Sequence, residues 1–235
     1  VLGSGLSGIQ HVLKNNIVIN YADIPNYFNT TVKGHDGKFI FGTFDSKNIL
    51  IAVGRFHYYE GLSFEDVGLP IKVFHDLGCQ NIIITNSSGC LIPEWHLGDI
   101  MVVDGHYDFT FRDGTSNPNL INGNDYYNQG LIKLTFQLHP NIRIGKYGWV
   151  LGPTYETKAE IENMSLHGVS AVGMSTIPEV IMAHKLGINI LVLALMSNYA
   201  VGLTNEKLTH DQVLQNSIKY NEKFKLLLIS ILSKI

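Results

Sequence analysis

The sequence predicts an α/β fold: a single domain over residues 1–235 in which helices flank a mixed central sheet. Apolar, β-branched runs alternate with segments of helical periodicity, and this alternation is typical of a mostly parallel or mixed sheet covered on both faces. A chain of 235 residues is long enough to bury a large core without disulfides or metal ions. The predicted strands are residues 39–44, 49–53, 81–85, 99–103, 147–151, 170–174 and 189–196.

Residues 39–53 differ from the rest of this pattern. Two strand-like runs are joined there by a short polar turn that contains Asp45 and Asn48, which predicts a β-hairpin. Residues 115–128 are polar and rich in turn formers, so we expect a long surface loop. Helical periodicity predicts helices near 66–77, 126–138, 157–167, 178–186 and 210–233.

Three predicted helices begin with the spacing of a capping box, in which a Ser or Thr is followed three residues later by Glu or Gln. We interpret Glu179 on this basis as a capping residue with no part in catalysis. The three pairs are Thr157 with Glu160, Thr176 with Glu179, and Thr209 with Gln212.

Composition limits the classes of function. The net charge is -3 and the sequence has no basic stripe, so we expect no nucleic-acid partner. The longest wholly apolar run, residues 190–196, is too short to cross a bilayer. With only two cysteines and no targeting segment, we expect a cytoplasmic protein without a membrane partner. Val1 lies inside an apparent strand, so we also expect a natural segment to precede it.

A glycine-rich segment at residues 3–8 has the spacing G-x-G-x-x-G. Asp23 follows at the distance typical of a dinucleotide-binding fingerprint. A tight turn without a ligand is an equally simple interpretation. A third is an anion cradle, in which backbone N–H groups and the Ser4 hydroxyl converge at the start of a helix.

Further hydrogen-bond donors follow other predicted strands. Arg55 offers a planar fork of donors suited to phosphate, and His57 can be oriented by Glu60 and donate to an anion. The segments 85–89 and 173–176 carry small hydroxyl residues at strand ends, where open α/β sheets bind ligands. Each feature alone is also typical of a surface arginine or a polar turn. Their common position at strand ends favours an anion site.

Together these segments resemble the trimeric purine nucleoside phosphorylases, a family that also includes methylthioadenosine phosphorylase. The resemblance covers essentially the whole chain, and it is most specific at 152–160 and 172–180. It makes the dinucleotide interpretation much weaker. The other matching segments are 3–6, 34–37, 54–57, 85–89, Ser197 with Asn198, and His210.

The resemblance implies a role for each matching side chain. Asn198, Glu156 and His57 would be catalytic. Phosphate would be held by Ser4, Arg55, His57, Ser175 and the Ser87 backbone, with His35 close by. The nucleoside would contact Tyr59 and Met174 at the ribose, His210 at the 5′-hydroxyl, Tyr155 at the base, and Glu156 and Asn198 at the purine.

The resemblance also implies the nucleoside phosphorylase fold, with a partly barrel-like sheet, and an active homotrimer. A neighbouring subunit would lend an aromatic residue to each site, for which Phe111 is a candidate. The implied reaction is phosphorolysis of purine nucleosides to the free base and (deoxy)ribose 1-phosphate, in purine salvage. Inorganic phosphate would be a co-substrate, and no metal or organic cofactor is needed.

The substrate depends on residues at the purine. Asn198 can donate to N7 or O6 of a 6-oxopurine, and a Glu156 carboxylate can accept from N1–H, so we expect inosine and guanosine as substrates. A carboxylate at position 198 would instead suit adenine, as in methylthioadenosine phosphorylase. Two departures from the family pattern bear on the site: Ser87 and Ser88 replace alanines, and Tyr199 stands where mammalian members often have lysine.

Three alternatives stay open at this point. One is a methylthioadenosine phosphorylase. A nucleosidase would use water in place of phosphate and would not need Arg55 with His57 as an anion clamp. A nucleoside-binding protein without catalysis could also use this fold. We interpret Cys90 as a core residue, since no His-Asn partner set marks it as a nucleophile.

Overall fold

The computed structural model describes residues 1–204 and 208–235, and these form nine strands and seven α-helices. The strands are β1 Lys14–Asn20, β2 Lys38–Phe44, β3 Lys47–Val53, β4 Asn81–Cys90, β5 Ile100–Asp108, β6 Asn119–Asn122, β7 Arg143–Trp149, β8 Val169–Gly173 and β9 Asn189–Tyr199. The helices are α1 Phe64–Val67, α2 Leu69–Asp76, α3 Gly123–Tyr126, α4 Gln129–Leu138, α5 Lys158–Leu166, α6 Ile177–Lys185 and α7 His210–Leu232.

The larger sheet has the strand order β6-β5-β7-β8-β4-β9, and β9 also pairs with β5. That last pairing closes β5, β7, β8, β4 and β9 into a barrel. The sheet is mixed, because β4 runs parallel to β9 but antiparallel to β8. Residues 190–196 of β9 are fully buried, as expected for a strand covered on both faces. The predicted fold class, a mixed and partly barrel-like α/β sheet flanked by helices, is confirmed.

The smaller sheet is antiparallel, with the order β1-β2-β3. Its β2–β3 hairpin, which the sequence predicts, turns at Asp45 and Ser46 with positive φ at both residues. This is the geometry of a type I′ turn, whose twist matches that of the flanking strands. Strand β1 is absent from the prediction. All seven of its residues are exposed, so it shows no alternation of buried and exposed positions.

The structure corrects two other predicted elements. The helix expected near 66–77 is two helices, α1 and α2, separated at Gly68. The expected long loop at 115–128 contains β6 and α3. The capping boxes at Thr157 and Thr209 are confirmed, whereas the one at Thr176 is wrong, because Thr176 makes no side-chain cap.

The elements around the barrel bring several strand ends together. Helix α7 packs against β9, and its residues Phe224, Leu227 and Ile231 are buried. The carboxyl ends of β3, β4, β8 and β9 then open onto one hollow beside the start of α7. Within the described ranges, none of the helices combines the length and apolar character needed to cross a membrane.

Candidate active site

Every side chain that the sequence assigns to phosphate or nucleoside lines a single cavity. The open space within it is about 690 Å³, counting the solvent at its mouth. Apolar residues complete its walls, among them Val32, Val172, Leu208 and Val213. The assigned residues in the lining are Ser4, His35, Arg55, His57, Tyr59, Ser87, Tyr155, Glu156, Met174, Ser175, Asn198 and His210.

The glycine-rich segment brings Ser4 to the end of β4. A Cβ on Gly3 would lie 2.8 Å from the Asn86 Cα, and one on Gly5 would lie 2.7 Å from the Ser217 Cβ, so both glycines permit close backbone approach. A six-residue 3-10 helix follows, and then the antiparallel strand β1. The segment therefore lacks the βαβ context of a dinucleotide fingerprint.

Arg55 is buried, with 1% of its surface exposed, and all three of its nitrogens are engaged. Its Nη1 donates to the Thr85 carbonyl at 2.7 Å and to the Ser175 Oγ at 3.2 Å. Its Nε donates to Glu179 Oε1 at 3.3 Å, and Nη2 lies 2.9 Å from Glu179 Oε2. The guanidinium is thus held by a two-point ion pair on one side and oriented toward the Ser175 hydroxyl on the other.

The interpretation of Glu179 as a capping residue is wrong. Its carboxylate is fully buried and directed at Arg55, while the residue expected as its capping partner, Thr176, accepts from Asn86 Nδ2 at 2.9 Å. The available signal was a lone carboxylate in the otherwise apolar run 177–183. A charge on such a face must find a partner when buried.

The turn between β8 and α6 is strained. Thr176 has φ 80° and ψ -49°, and the Ile177 N–H donates across it to the Ser175 carbonyl at 2.9 Å. This is a γ-turn with positive φ at its centre, which is costly for a β-branched residue. Such strain is characteristic of functional sites, and here it places Ser175 in the cavity wall.

His57 is held by Glu60, as the spacing suggests. The His57 Nδ1 lies 3.1 Å from Glu60 Oε1, and the other carboxylate oxygen accepts from the N–H and hydroxyl of Thr31 at 2.9 Å and 2.6 Å. Partial burial alone would raise the pKa of Glu60, but the hydrogen bonds from His57 and Thr31 outweigh it and lower the pKa to about 2. Glu60 is therefore an anion, and it accepts the Nδ1 proton of His57.

The same arrangement defines what His57 can offer to a ligand. Burial lowers the pKa of His57, although Glu60 partly opposes the shift. With its proton on Nδ1, the neutral ring has a lone pair on Nε2. In its neutral form His57 can thus accept a hydrogen bond at Nε2, and in its protonated form it can donate there, so the predicted donor role stays a prediction.

Ser4 lies between His35 and Ser87. Its Oγ is 3.2 Å from His35 Nε2, and its carbonyl accepts from the Ser87 hydroxyl at 3.0 Å. Burial, the neighbouring His57 ring and the Arg55 charge hold the pKa of His35 well below its usual range. The hydroxyl that distinguishes Ser87 from the family pattern is thus directed to the Ser4 backbone, and Ser217 Oγ approaches it at 2.8 Å.

Asn198 has a defined amide orientation. Its Nδ2 donates to the Tyr199 carbonyl at 3.0 Å, and its Oδ1 accepts from Ser197 Oγ at 2.9 Å. Because a carbonyl can only accept, the first contact fixes which end of the amide carries the hydrogens. The Tyr199 hydroxyl donates to the Trp95 carbonyl at 2.8 Å, and Tyr199 does not line the cavity.

The loop after β7 carries Tyr155 and Glu156 into the cavity. Burial raises the pKa of both side chains. Gly152 begins this loop with φ 72°, and a Cβ there would lie 2.5 Å from Met174 Sδ and 2.9 Å from Tyr59 Cδ1. Glycine at 152 therefore allows the base loop to pack directly on the two residues assigned to the ribose.

Replacing Gly152 with alanine is expected to weaken nucleoside binding and to destabilise the protein. The positive φ costs about 1–2 kcal/mol for a residue with a Cβ, and the new methyl group displaces Met174 and Tyr59. Gly187→Ala is the matched control, since Gly187 has φ 71° and open space around its Cβ position. Thermal unfolding should show a loss in both variants, while the KM for nucleoside should rise several-fold only in Gly152→Ala. An equal KM in the two variants would contradict this account of the loop.

Two assigned residues, His210 and Phe111, are exposed. His210 begins α7, and its Nε2 is 3.1 Å from the Lys33 carbonyl. Phe111, the candidate for donation to a neighbouring subunit, is 43% exposed and has φ 53°. Among residues 1–204 and 208–235, no group of three His, Cys, Asp or Glu side chains is arranged to hold a metal ion.

The fold is that of a phosphorylase. Residues 1–233 match the family model described as Phosphorylase superfamily, and the chain belongs to that family. The predicted family and the predicted class of enzyme, a pentosyl-transferring phosphorylase, are confirmed.

The relatives are purine nucleoside phosphorylases. Purine nucleoside phosphorylase 1 of Bacillus subtilis (strain 168) is 34% identical, over 100% of this chain and 90% of the relative. The structure of Schistosoma mansoni purine nucleoside phosphorylase in complex with adenosine is 32% identical, with a TM-score of 0.89 over 99% of this chain and 88% of that chain. Its complex with inosine is 31% identical, with a TM-score of 0.85 over 97% and 87%.

Proposed function

We propose that this protein is a purine nucleoside phosphorylase that cleaves 6-oxopurine nucleosides with inorganic phosphate. The observation that carries the proposal is the convergence of Ser4, Arg55, His57 and Ser175 on the cavity that Asn198 and Glu156 also line. One set suits a tetrahedral anion and the other suits the edge of a purine. Their common cavity can hold both reactants together, which lowers the entropic part of the barrier.

Phosphate binding rests on hydroxyl, backbone and guanidinium donors at one end of the cavity. Hydrogenphosphate carries one P–OH group, which can donate to the Nε2 lone pair of His57. Its remaining oxygens accept from Ser4, Ser175, Arg55 and the Ser87 N–H. Each charge-assisted hydrogen bond of this kind contributes about 1.5–3 kcal/mol.

The reaction forms a bond between a phosphate oxygen and C1′ and breaks the bond between C1′ and N9. The electron pair of the broken bond goes to the purine, which becomes negative as the ribose becomes positive. The phosphate loses one proton and the released base gains one, so the charges balance. Asn198 stabilises the leaving base, since its fixed amide has an N–H to donate where negative charge develops.

Preference for 6-oxopurines is the finer part of the proposal. An amide N–H pairs with O6 or N7, and an ionised Glu156 pairs with N1–H of inosine or guanosine. The amino group at C6 of adenosine would face a donor and remain unpaired. The complex of the Schistosoma mansoni relative with adenosine concerns binding to that protein, so the preference here rests on Asn198 and Glu156.

The remaining parts of the proposal concern context. We propose a role in purine salvage, an active homotrimer and a cytoplasmic location, with phosphate as co-substrate and no organic cofactor. The homotrimer would complete each cavity with an aromatic residue of the neighbouring subunit. Size measurement by light scattering tests the oligomeric state.

A substrate panel with and without phosphate tests the function. Inosine, guanosine, adenosine and methylthioadenosine are each incubated with the protein, and release of the base is followed. We expect rapid release from inosine and guanosine only when phosphate is present. Release that does not need phosphate would indicate a nucleosidase, a preference for methylthioadenosine would indicate the related phosphorylase, and absence of release would indicate a binding protein.

Activity is expected to fall at acid pH because Glu156 becomes protonated. Burial raises its pKa above the ordinary value of 4.5, so the carboxylate that accepts N1–H is lost at a higher pH than in an exposed glutamate. The profile of kcat/KM for inosine against pH should have an acid limb that is absent in Glu156→Gln. Glu162→Gln, at an exposed position on α5, is the control and should keep the limb. An unchanged profile in Glu156→Gln would contradict the assignment.

A further inference from the structure

We propose that Glu179 is a positioning residue for phosphate, acting through Arg55 on Ser175. The inference rests on the proposed function, since it concerns the phosphate end of the same cavity. Glu179 itself does not line the cavity. Glu179 contacts Arg55, and Arg55 lines the cavity.

An ion pair joins the side chains of Glu179 and Arg55. Both are buried, with 2% and 0% of their side-chain surfaces exposed, and the Nη2–Oε2 distance is 2.9 Å. The second contact, from Nε to Oε1 at 3.3 Å, makes the pairing two-pointed. A hydrogen bond from Nε together with a close ion contact at Nη2 restricts rotation of the guanidinium more than a single contact would.

The orientation of the guanidinium plane determines where Nη1 of Arg55 points. With Nε and Nη2 on Glu179, Nη1 is directed to the Thr85 carbonyl and the Ser175 Oγ. Ser175 therefore accepts a hydrogen bond from Arg55. Thr176 Oγ1, which accepts from Asn86, lies 3.2 Å from Ser175 Oγ, and when Thr176 donates across this contact the hydroxyl hydrogen of Ser175 is left for a ligand. A rotated guanidinium would leave Ser175 free to point its lone pairs at an incoming anion, which would repel it.

Glu179 lies at a capping position on α6 but pairs with Arg55. Residue 179 lies in the first turn of the helix, where a carboxylate can cap backbone N–H groups, yet its described side-chain partner is Arg55. The capping partner that the sequence predicts, Thr176, bonds Asn86 instead. The helix thus lacks a side-chain cap, and the carboxylate holds the phosphate arginine. Local rules that fail in this way are characteristic of functional sites.

The test compares Glu179→Asp with the wild type in steady-state kinetics. Aspartate keeps the negative charge beside Arg55 but is one methylene shorter, so it cannot keep both contacts. We expect the KM for inorganic phosphate to rise about tenfold, the loss of about one charge-assisted hydrogen bond, while the KM for inosine stays within about twofold. Asp99→Asn is the matched control, because Asp99 pairs with Arg143 at 2.9 Å outside the cavity and should leave both KM values unchanged.

A double-mutant cycle separates positioning from general stability. If Glu179 acts through Arg55, Glu179→Asp should raise the KM for phosphate much less in an Arg55→Lys background than in the wild type. Additive effects would overturn the inference. If Glu179→Asp does not fold, Glu179→Gln, which keeps the side-chain volume, is measured in its place, and a folded variant with the wild-type KM for phosphate would also overturn it.

The outcome also distinguishes this inference from the proposed function. A wild-type protein whose base release does not respond to phosphate would sink the proposed function itself. A phosphate-dependent wild type whose Glu179 variants bind phosphate normally would sink the positioning role alone. Calorimetric titration with inorganic phosphate gives the same comparison without turnover.

Discussion

Replacing Arg55 with lysine is expected to lower kcat/KM for inorganic phosphate by about 100-fold or more. The guanidinium makes four contacts, two with Glu179, one with the Thr85 carbonyl and one with Ser175. Lysine offers a point charge and cannot reproduce a planar fork. Loss of two charge-assisted hydrogen bonds at about 1.5–3 kcal/mol each accounts for a decrease of this size.

Lysine is the right substitution because it keeps a positive charge beside Glu179. An uncharged residue would leave the buried carboxylate unpaired, which costs about 3–5 kcal/mol and would confuse binding with folding. Arg143→Lys is the matched control. Arg143 also pairs with a carboxylate, Asp99, and lies over the Trp95 ring, but it is outside the cavity and should leave phosphate kinetics unchanged.

Phosphate kinetics and thermal unfolding measured on the same samples decide the matter. A folded Arg55→Lys protein with the wild-type KM and kcat for phosphate would show that Arg55 is a structural residue. A large loss of kcat/KM with a small change in the unfolding midpoint is the result that we predict.

Asn198→Asp is expected to reverse the order of substrates. In the proposed complex the amide N–H is assigned to O6 or N7; the substitution replaces it with a carboxylate oxygen, which would repel an oxo group and accept from the amino group of adenosine. We expect kcat/KM for inosine to fall by at least about 100-fold, since mismatched polar groups in a buried site discriminate by up to about 10⁴–10⁵. The value for adenosine should fall less or rise, so the ratio changes in favour of adenosine.

The control for this prediction lies on the same strand. Asn189→Asp makes the identical chemical change at the other end of β9, where Asn189 is exposed and bonds Asn81 and Asn128. It should leave the substrate ratio unchanged. If Asn198→Asp keeps the wild-type ratio, Asn198 does not read position 6 of the purine and the preference must arise elsewhere.

Most of the strands could be predicted from the sequence, because buried strands contain recognisable runs of apolar residues. The apolar run of β9 and the two strand-like runs of β2 and β3 each predict their element. Strand β1 could not be found in this way, because a strand exposed on both faces has no periodic pattern. Closure of the barrel by β5 and β9 was likewise not visible from periodicity, since pairing between distant strands depends on the twist of the whole sheet. The resemblance to a known family supplied it.

In the site, too, some contacts could be predicted from the sequence and others could not. The hydrogen bond between His57 and Glu60 follows from their spacing on one short turn. Glu179 was misassigned because a capping box and a buried ion pair can share the same spacing, and only the positive φ of Thr176 excludes the first. Likewise, the ability of the neutral His57 ring to accept at Nε2 depends on burial and on the proton that Glu60 fixes at Nδ1. Neither quantity can be read from a string of residues.

Identification of the sugar product tests the central claim most directly. If the cavity places inorganic phosphate against the anomeric carbon, the sugar must leave bonded to phosphate. Phosphorus NMR of the wild-type protein with inosine and phosphate should show ribose 1-phosphate appearing in the same amount as hypoxanthine. Free ribose in place of the phosphate ester, with hypoxanthine formed at the same rate when phosphate is left out, would contradict it.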